Sequence, residues 1–287
     1  MPAHLHEENR LAWNEATRAH NSHKGDQARA LREGAGTLHP EELELLGDLR
    51  GLTLLHLQCN SGQDTLSLAR LGATVTGVDI SDEAISFAEK LSAQSGIPGR
   101  FIRADVYDWF EEAAARRETF DRVFCSYGVL MWLSDIARWG RGVGRVLAPG
   151  GRFVVVDYHP AGLMFDRSLK RDRSYFGDGT PYTESPGVGD YVAESKDSMG
   201  LAAYEPGVLD FKNPHRSHEF NWGIGQIVTA LLDAGLRLEV LREYPYANNS
   251  KLYDDMVVLD GRRSTLPPEQ PALPLMFGIA ARRPADT

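Results

Sequence analysis

Residues 53–79 run as strand, tight loop, helix and second strand, and this order admits few architectures. Thr53 to Leu57 is an apolar run of strand length, and the polar residues Gln58 to Gly62 form a loop before the helix-like stretch Asp64 to Leu71. Thr74 to Val78 is a second strand that ends at Asp79, seventeen positions after Gly62. A strand that returns through a helix lies parallel to the first, so Asp79 emerges at the same sheet edge as the loop. Loop amides and a helix N-terminus suit the charged portion of a nucleoside cofactor, and a carboxylate on the next strand suits a ribose diol.

The same alternation continues. Ser81 caps a helix running to about Ala93, Arg100 to Arg103 is a short strand before Asp105, and Val106 to Arg117 is helical in character. Phe120 to Cys125 is a fourth strand, followed by Ser126-Tyr127-Gly128; Met131 to Leu147 is the next expected helix, and Arg152 to Asp157 the fifth strand. Farther on, Ile224 to Ala234 is helical, Leu236 to Tyr244 a strand, and Leu273 to Ala280 the last strand, after a Pro-rich connection. The expected fold is α/β, a Rossmann-like, seven-stranded, mostly parallel sheet with helices on both faces, a terminal antiparallel strand and an inserted cap. Gly62, Asp79, Asp105 and Ser126 then share the edge at the strand C-termini.

Two flanking regions have a different character. Residues 1–50 contain helical runs at Glu7 to His23, Gln27 to Glu33 and Pro40 to Leu49. They are expected to form a lid or a packing appendage before a main domain at 51–287; as a lid they would bring Trp13, His20 and His23 to the cofactor. Residues 161–218 carry seven Phe and Tyr residues without helical period, among several glycines and prolines. They are expected to form a cap, with Asp190 to Ser195 paired to a strand near Glu219 to Trp222.

Composition narrows the function classes. The 287 residues include 42% hydrophobic and 25% charged residues, ordinary for a globular chain able to bury a large core. A net charge of -9 disfavours a long electrostatic contact with nucleic acid or an anionic membrane. Cys59 and Cys125 lack metal-ligand spacing and are expected to be reduced and buried. No apolar run approaches membrane-spanning length. These features point to a cytoplasmic monomer or homodimer without metal, membrane or nucleic-acid partners.

A dinucleotide site needs glycines where its pyrophosphate meets the backbone, and Gln58 and Asn60 put side chains there. Lined by Gln58, Asn60 and Asp64, the loop suits a cofactor with an amino-acid moiety, whose ammonium and carboxylate need polar partners. Over residues 50–157 the chain resembles the class I S-adenosylmethionine-dependent methyltransferases, through Leu55-His56-Leu57-Gln58-Cys59-Asn60-Ser61-Gly62. His56 stands where that family often has an acid, and Gln58 and Asn60 replace two of its glycines. The continuation Gln63-Asp64-Thr65-Leu66-Ser67-Leu68-Ala69 is similar to a small-molecule-type subgroup. The resemblance implies S-adenosyl-L-methionine as cofactor, with Gln58, Asn60, Gly62, Asp64 and Thr65 around its methionine end. It further implies Asp79 on the ribose, Ile80, Asp105 and Val106 at the adenine, and Ser126 with Tyr127 beside sulfonium and acceptor. Asp79 and Asp105 could instead simply cap the helices that follow them.

The expected activity is methyl transfer to a small-molecule acceptor under the aromatic cap. The alternatives are a protein or RNA methyltransferase, which would share the cofactor site, and a non-catalytic regulatory protein that binds the cofactor. His159 directly follows strand five and is the leading candidate base, against the alternative of a histidine fixed by a local turn. Tyr127 is the second candidate catalytic residue, as the group that orients the acceptor.

Overall fold

The computed structural model describes residues 3–195 and 201–285. Five strands and the helices between them come first: β1 Thr53–Leu57, β2 Thr74–Asp79, β3 Arg100–Arg103, β4 Phe120–Ser126 and β5 Leu147–Tyr158. Ahead of them lie α1 Ala3–Ser22, α2 Gln27–Arg32 and α3 Pro40–Leu46; between them lie α4 Gln63–Arg70, α5 Asp82–Ser95, α6 Val106–Ala115 and α7 Ile136–Val146. The later elements are β6 Tyr182–Glu184, α8 Tyr191–Ser195, β7 Ser217–Glu219, α9 Ile224–Asp233, β8 Arg237–Tyr244, β9 Tyr246–Asn248, β10 Val257–Leu259, β11 Arg263–Thr265 and β12 Met276–Arg282.

The main sheet has seven strands in the order β3-β2-β1-β4-β5-β12-β8. β1 to β5 pair in parallel, and β12 runs antiparallel to both β5 and β8, which is the expected Rossmann-like sheet with a terminal antiparallel strand. The order reverses at β1, so the crevice between the ends of β1, β2 and β4 is the natural ligand position.

Alternation along the strands supplies two cores. Leu55, Val123, Phe153 and Ile279 face one side and pack with Trp109, Trp139 and Leu231 of α6, α7 and α9. Leu54, Phe124 and Val154 face the other and pack with Leu46 and Leu68 of α3 and α4. Successive strand side chains point to opposite faces, so the middle of a buried parallel strand is apolar on both, as at Leu54-Leu55 of β1 and Val123-Phe124-Cys125 of β4. On the first side α7 crosses α9 closely: a Cβ at Gly140 would lie 2.5 Å from the Ala230 carbonyl oxygen.

Several local expectations are corrected. The helix expected over Met131 to Leu147 is a 3-10 turn at Leu130–Trp132 followed by α7, because Asp135 takes the N-cap and its carboxylate accepts from the Arg138 amide at 2.8 Å. Asp190 to Ser195 is not a strand. Asp190 accepts from the Ala193 amide and opens α8, while the antiparallel pair is β6 with β7. The last strand lies two to three residues later than expected, and a three-stranded sheet, β10-β11-β9, occupies a stretch where the sequence reading placed no strand after Tyr244.

Candidate active site

A cavity of about 460 Å³ opens at the C-terminal ends of the parallel strands. Gln58, Asn60 and Asp79 line it beside Asp105, Ser126 and Tyr127, so one crevice collects residues that are far apart in sequence. Trp13, Asp64, Ile80 and Val106 also line it; Gly62 and Thr65 do not, being packed behind the loop.

The loop after β1 keeps the conformation that glycines would favour, without the glycines. Gln58 has φ 54° and Asn60 φ 47°, both left-handed. Asn60 stabilises its own turn, its side-chain oxygen accepting from the Ser61 amide at 2.6 Å and from the Ser61 hydroxyl at 2.9 Å. Gln58 donates from Nε2 to the Val129 carbonyl at 2.8 Å, bridging the loops after β1 and β4, while its buried Oε1 has no partner among the described residues. That orphaned acceptor, in a residue that lines the cavity, is a position for a donor from a ligand. Gly62, at φ 79°, is the one position where no side chain fits, since a Cβ there would lie 2.7 Å from Ala88 Cβ and 3.0 Å from the Phe101 ring.

Asp79 ends β2 and accepts from the Asn60 amide at 2.8 Å and the Ser81 amide at 2.9 Å. Burial pushes its carboxyl up to about 6, against the lowering effect of those amides. Asp105 caps α6 through the Tyr107 amide at 2.8 Å, and its second oxygen meets His6 Nδ1 at 2.5 Å. Burial opposes ionisation of Asp105, but the His6 hydrogen bond and charge outweigh it and hold the carboxyl below the ordinary range. Asp105 therefore both caps its helix and lines the cavity. His6 also lines the cavity, and its Nε2 lies 2.7 Å from the Ser134 hydroxyl, which ties α1 to the β4 side of the site.

At the other end a polar string crosses the cavity floor. Ser126 donates to Asp64 at 3.1 Å and sits 3.5 Å from His56 Nε2, while His56 Nδ1 meets the Thr65 hydroxyl at 2.8 Å. Burial pushes His56 down to about 4, with Asp64 opposing, so the imidazole is neutral near pH 7. Lys24, in the turn after α1, faces the cavity without an ion pair among the described residues; burial lowers its ammonium to about 8, against the attraction of Asp64 and Asp190. Tyr127 has φ 22°, and its hydroxyl accepts from Asn248 at 2.8 Å. Asp157 holds the whole turn after β4, accepting from the amides of Gly128, Val129 and Leu130.

His159 stands elsewhere. It is 3% exposed, does not line the cavity and packs edge-on against Phe277. Its Nδ1 accepts from the Ala161 amide at 3.1 Å, the turn-fixing role expected as the alternative, and its Nε2 lies 2.8 Å from Glu243 but out of line for a hydrogen bond. Burial lowers its pKa, with Glu243 opposing. The position after strand five suggested an active-edge histidine, but the backbone bond from its amide to the Leu275 carbonyl draws the residue under the antiparallel strand connection. Conversely, His6, Lys24, Tyr191 and Arg262 line the cavity without any local sequence signal, because each sits in a helix or turn brought in from the N-terminal or late region. Of the two other histidines expected in a lid, His23 pairs with Asp190 at 2.9 Å and His20 bonds the Gly189 carbonyl at 2.9 Å; Trp13 is edge-on to Trp132.

Among the described residues, no group of three or more His, Cys, Asp or Glu side chains is arranged to hold a metal ion, and no helix is long and apolar enough to cross a membrane. Both cysteines are free and buried.

Residues 55–155 match a family model described as a methyltransferase domain. A ubiquinone biosynthesis O-methyltransferase of Methylobacterium sp. (strain 4-46) is 30% identical over 143 residues, 49% of this chain and 55% of its own length. An uncharacterized methyltransferase of Synechocystis sp. (strain ATCC 27184 / PCC 6803 / Kazusa) is 34% identical over 134 residues, 46% of this chain and 59% of its own. The chain thus spans only a little over half the length of these curated relatives. In fold it is similar to an S-adenosylmethionine-dependent methyltransferase from Mesorhizobium loti, with TM-score 0.57, 20% identity and coverage of 88% of this chain and 100% of the other. A second solved structure, from Listeria monocytogenes, is similar with TM-score 0.57, 16% identity and coverage of 89% and 98%.

Proposed function

We propose that this chain, which matches a methyltransferase-domain model at residues 55–155, is a class I S-adenosylmethionine-dependent methyltransferase that transfers a methyl group from S-adenosyl-L-methionine to a small-molecule acceptor. The observation that carries this reading is the arrangement of complementary groups along one cavity: Asp105 and Asp79 toward β3 and β2, the unpartnered Gln58 oxygen in the middle, and Asp64 with Lys24 beyond it. This set fits the cofactor's own sequence of groups. Asp105, Ile80 and Val106 would hold the adenine, Asp79 the ribose hydroxyls, and Asp64 and Lys24 the ammonium and carboxylate of the methionine end. Gln58 and Asn60 would frame that end, and Gly62 and Thr65 would support it from behind. When bound, the cofactor supplies an electrophilic methyl group whose transfer needs in-line placement of a nucleophile.

This chain's residues would then position the acceptor and exclude water. Tyr127 and Tyr158 offer apolar faces on the β4 and β5 side, and Trp13 with Tyr191 covers the site from α1 and α8. Within residues 1–50 we assign α1 and α2 to a lid on this basis, α3 being packed into the sheet core, and residues 161–218 to a cap on the main domain at 51–287. Tyr127 orients the acceptor, and His159 is a structural residue. The net charge of -9 supports a small acceptor over a nucleic acid, and a cytoplasmic monomer or homodimer is the assembly we favour.

Calorimetry with S-adenosyl-L-methionine and its demethylated product tests the cofactor site; absence of binding by both would sink the reading. A metabolite screen with a labelled methyl donor then separates an enzyme from a binding protein and finds the acceptor.

A further inference from the structure

Two adjacent arginines, Arg262 in the turn after β10 and Arg263 at the start of β11, are treated oppositely. Arg263 pairs with Glu41, bonds the Asn248 side-chain oxygen at 3.3 Å and lies 4.8 Å from the centre of the Tyr246 ring. Arg262 lines the cavity, donates from Nη2 to the Thr37 carbonyl at 2.7 Å and forms no ion pair among the described residues. Its backbone is left-handed at φ 61°, a costly conformation for a side-chain-bearing residue, and its carbonyl is tied to the Asn249 amide at 2.8 Å. The turn is thus pinned in a form that points an uncompensated guanidinium at the site.

Charge accounting assigns that guanidinium an occupant. The cofactor brings one carboxylate, and Lys24 already stands on the α4 side next to Asp64 to receive it. Arg262 is a second cation without an ion pair among the described residues, in the same cavity, whose lining also includes Tyr127, Tyr158, Leu163 and Leu252. A planar, bidentate donor in a cavity lined largely by apolar and aromatic side chains matches a carboxylate on an apolar body.

We infer that Arg262 is a specificity-determining residue that binds a carboxylate group of the methyl acceptor, so that the acceptor class is a small acid with an aromatic or otherwise apolar body. This rests on the methyltransferase reading above. The test is calorimetry on the full chain loaded with S-adenosylhomocysteine, titrated with 4-hydroxybenzoate and with its neutral counterpart 4-hydroxybenzamide. The acid is expected to bind at least tenfold more tightly than the amide. Arg262→Ala should bring that ratio to about one and Arg262→Lys should keep part of it, both with S-adenosylhomocysteine affinity unchanged within twofold. Equal binding of the two probes by the unaltered protein, or binding of neither, overturns the proposal. So does a tenfold loss of S-adenosylhomocysteine affinity in Arg262→Ala, which would assign the arginine to the cofactor. Failure of the unaltered protein to bind S-adenosylhomocysteine is a separate result that removes the underlying reading and this inference with it.

Discussion

Asp79, Asp105 and Ser126 reach the cavity from the ends of β2, β3 and β4, whereas Lys24, Tyr191 and Arg262 reach it from a turn, a one-turn helix and a hairpin. The first set is positioned by strand register and by helix caps, so its spacing is inherited from the sheet. The second set is positioned by contacts between distant segments, such as the Arg262 bond to Thr37 and the His23 bond to Asp190. A sheet edge can keep one cofactor geometry while connections change around it, so under the proposed function the strand-borne set would hold the cofactor and the irregular set would choose the acceptor, with Lys24 meeting the cofactor where the two join.

Substitutions in the two sets should therefore fail differently, and the largest effect is expected where the sheet-borne loop has no room. Gly62→Val places a branched side chain at φ 79° against Ala88 and Phe101. It should destabilise the protein by ~1–3 kcal/mol in urea unfolding and abolish measurable binding of S-adenosylhomocysteine. Retained stability and binding would show that the loop is not rigidly tied to the sheet.

Asp79→Ala comes next, with cofactor affinity expected to fall ten- to a hundredfold, about 1.5–3 kcal/mol for a charge-assisted hydrogen bond. Because the Asp79 carboxyl is pushed up to about 6, affinity in the unaltered protein should rise between pH 5 and 7 as it ionises, and Asp79→Asn should flatten that rise. The sign for stability is the reverse. The folded state holds this proton more tightly than the unfolded chain, so the contribution of Asp79 to stability falls as pH rises from about 4 to 6. Chemical unfolding at pH 4.5 and 6.5 should show a smaller pH-dependent loss in Asp79→Asn.

Lys24→Met tests the irregular set where it meets the cofactor. Calorimetry should record about a tenfold weaker affinity for S-adenosylhomocysteine, with a small gain or no change in stability, since a buried unpaired ammonium costs free energy in the empty site. A large loss of stability instead would make Lys24 a structural cation. The smallest effect is expected at His159, where Asn should leave methyl-transfer rates within twofold across pH 6 to 9 and cost ~1 kcal/mol of stability. A tenfold slower rate with unchanged folding would restore the histidine to catalysis.

The parts of the fold that could be read from the chain are those governed by local period. Leu54 and Leu55 face opposite cores, as expected of a buried parallel strand, and Ser81 caps α5 through the Ala84 amide at 3.1 Å. Asp105 was legible by the same logic as the residue after a short strand. The region 161–218 was not, because its aromatics have no period and its pairing of β6 with β7 spans more than thirty residues. Met131 to Leu147 misled for a local reason: its apolar content continues through a 3-10 turn that Asp135 interrupts by capping the next helix.

The resemblance to the class I methyltransferases marks Gln58 and Asn60 as standing where that family has glycines; from the sequence alone follow the sheet and the crevice at the ends of β1 and β2. These depend on side-chain periodicity and chain order, which are properties of neighbouring residues. Only the tertiary structure could reveal that Gln58 and Asn60 keep the left-handed backbone, that His159 turns into a buried pocket beside Phe277, and that Lys24 and Arg262 line the cavity without an ion pair among the described residues. Those outcomes depend on which distant groups satisfy one another's hydrogen bonds and charges, and no local pattern in the chain records such pairings.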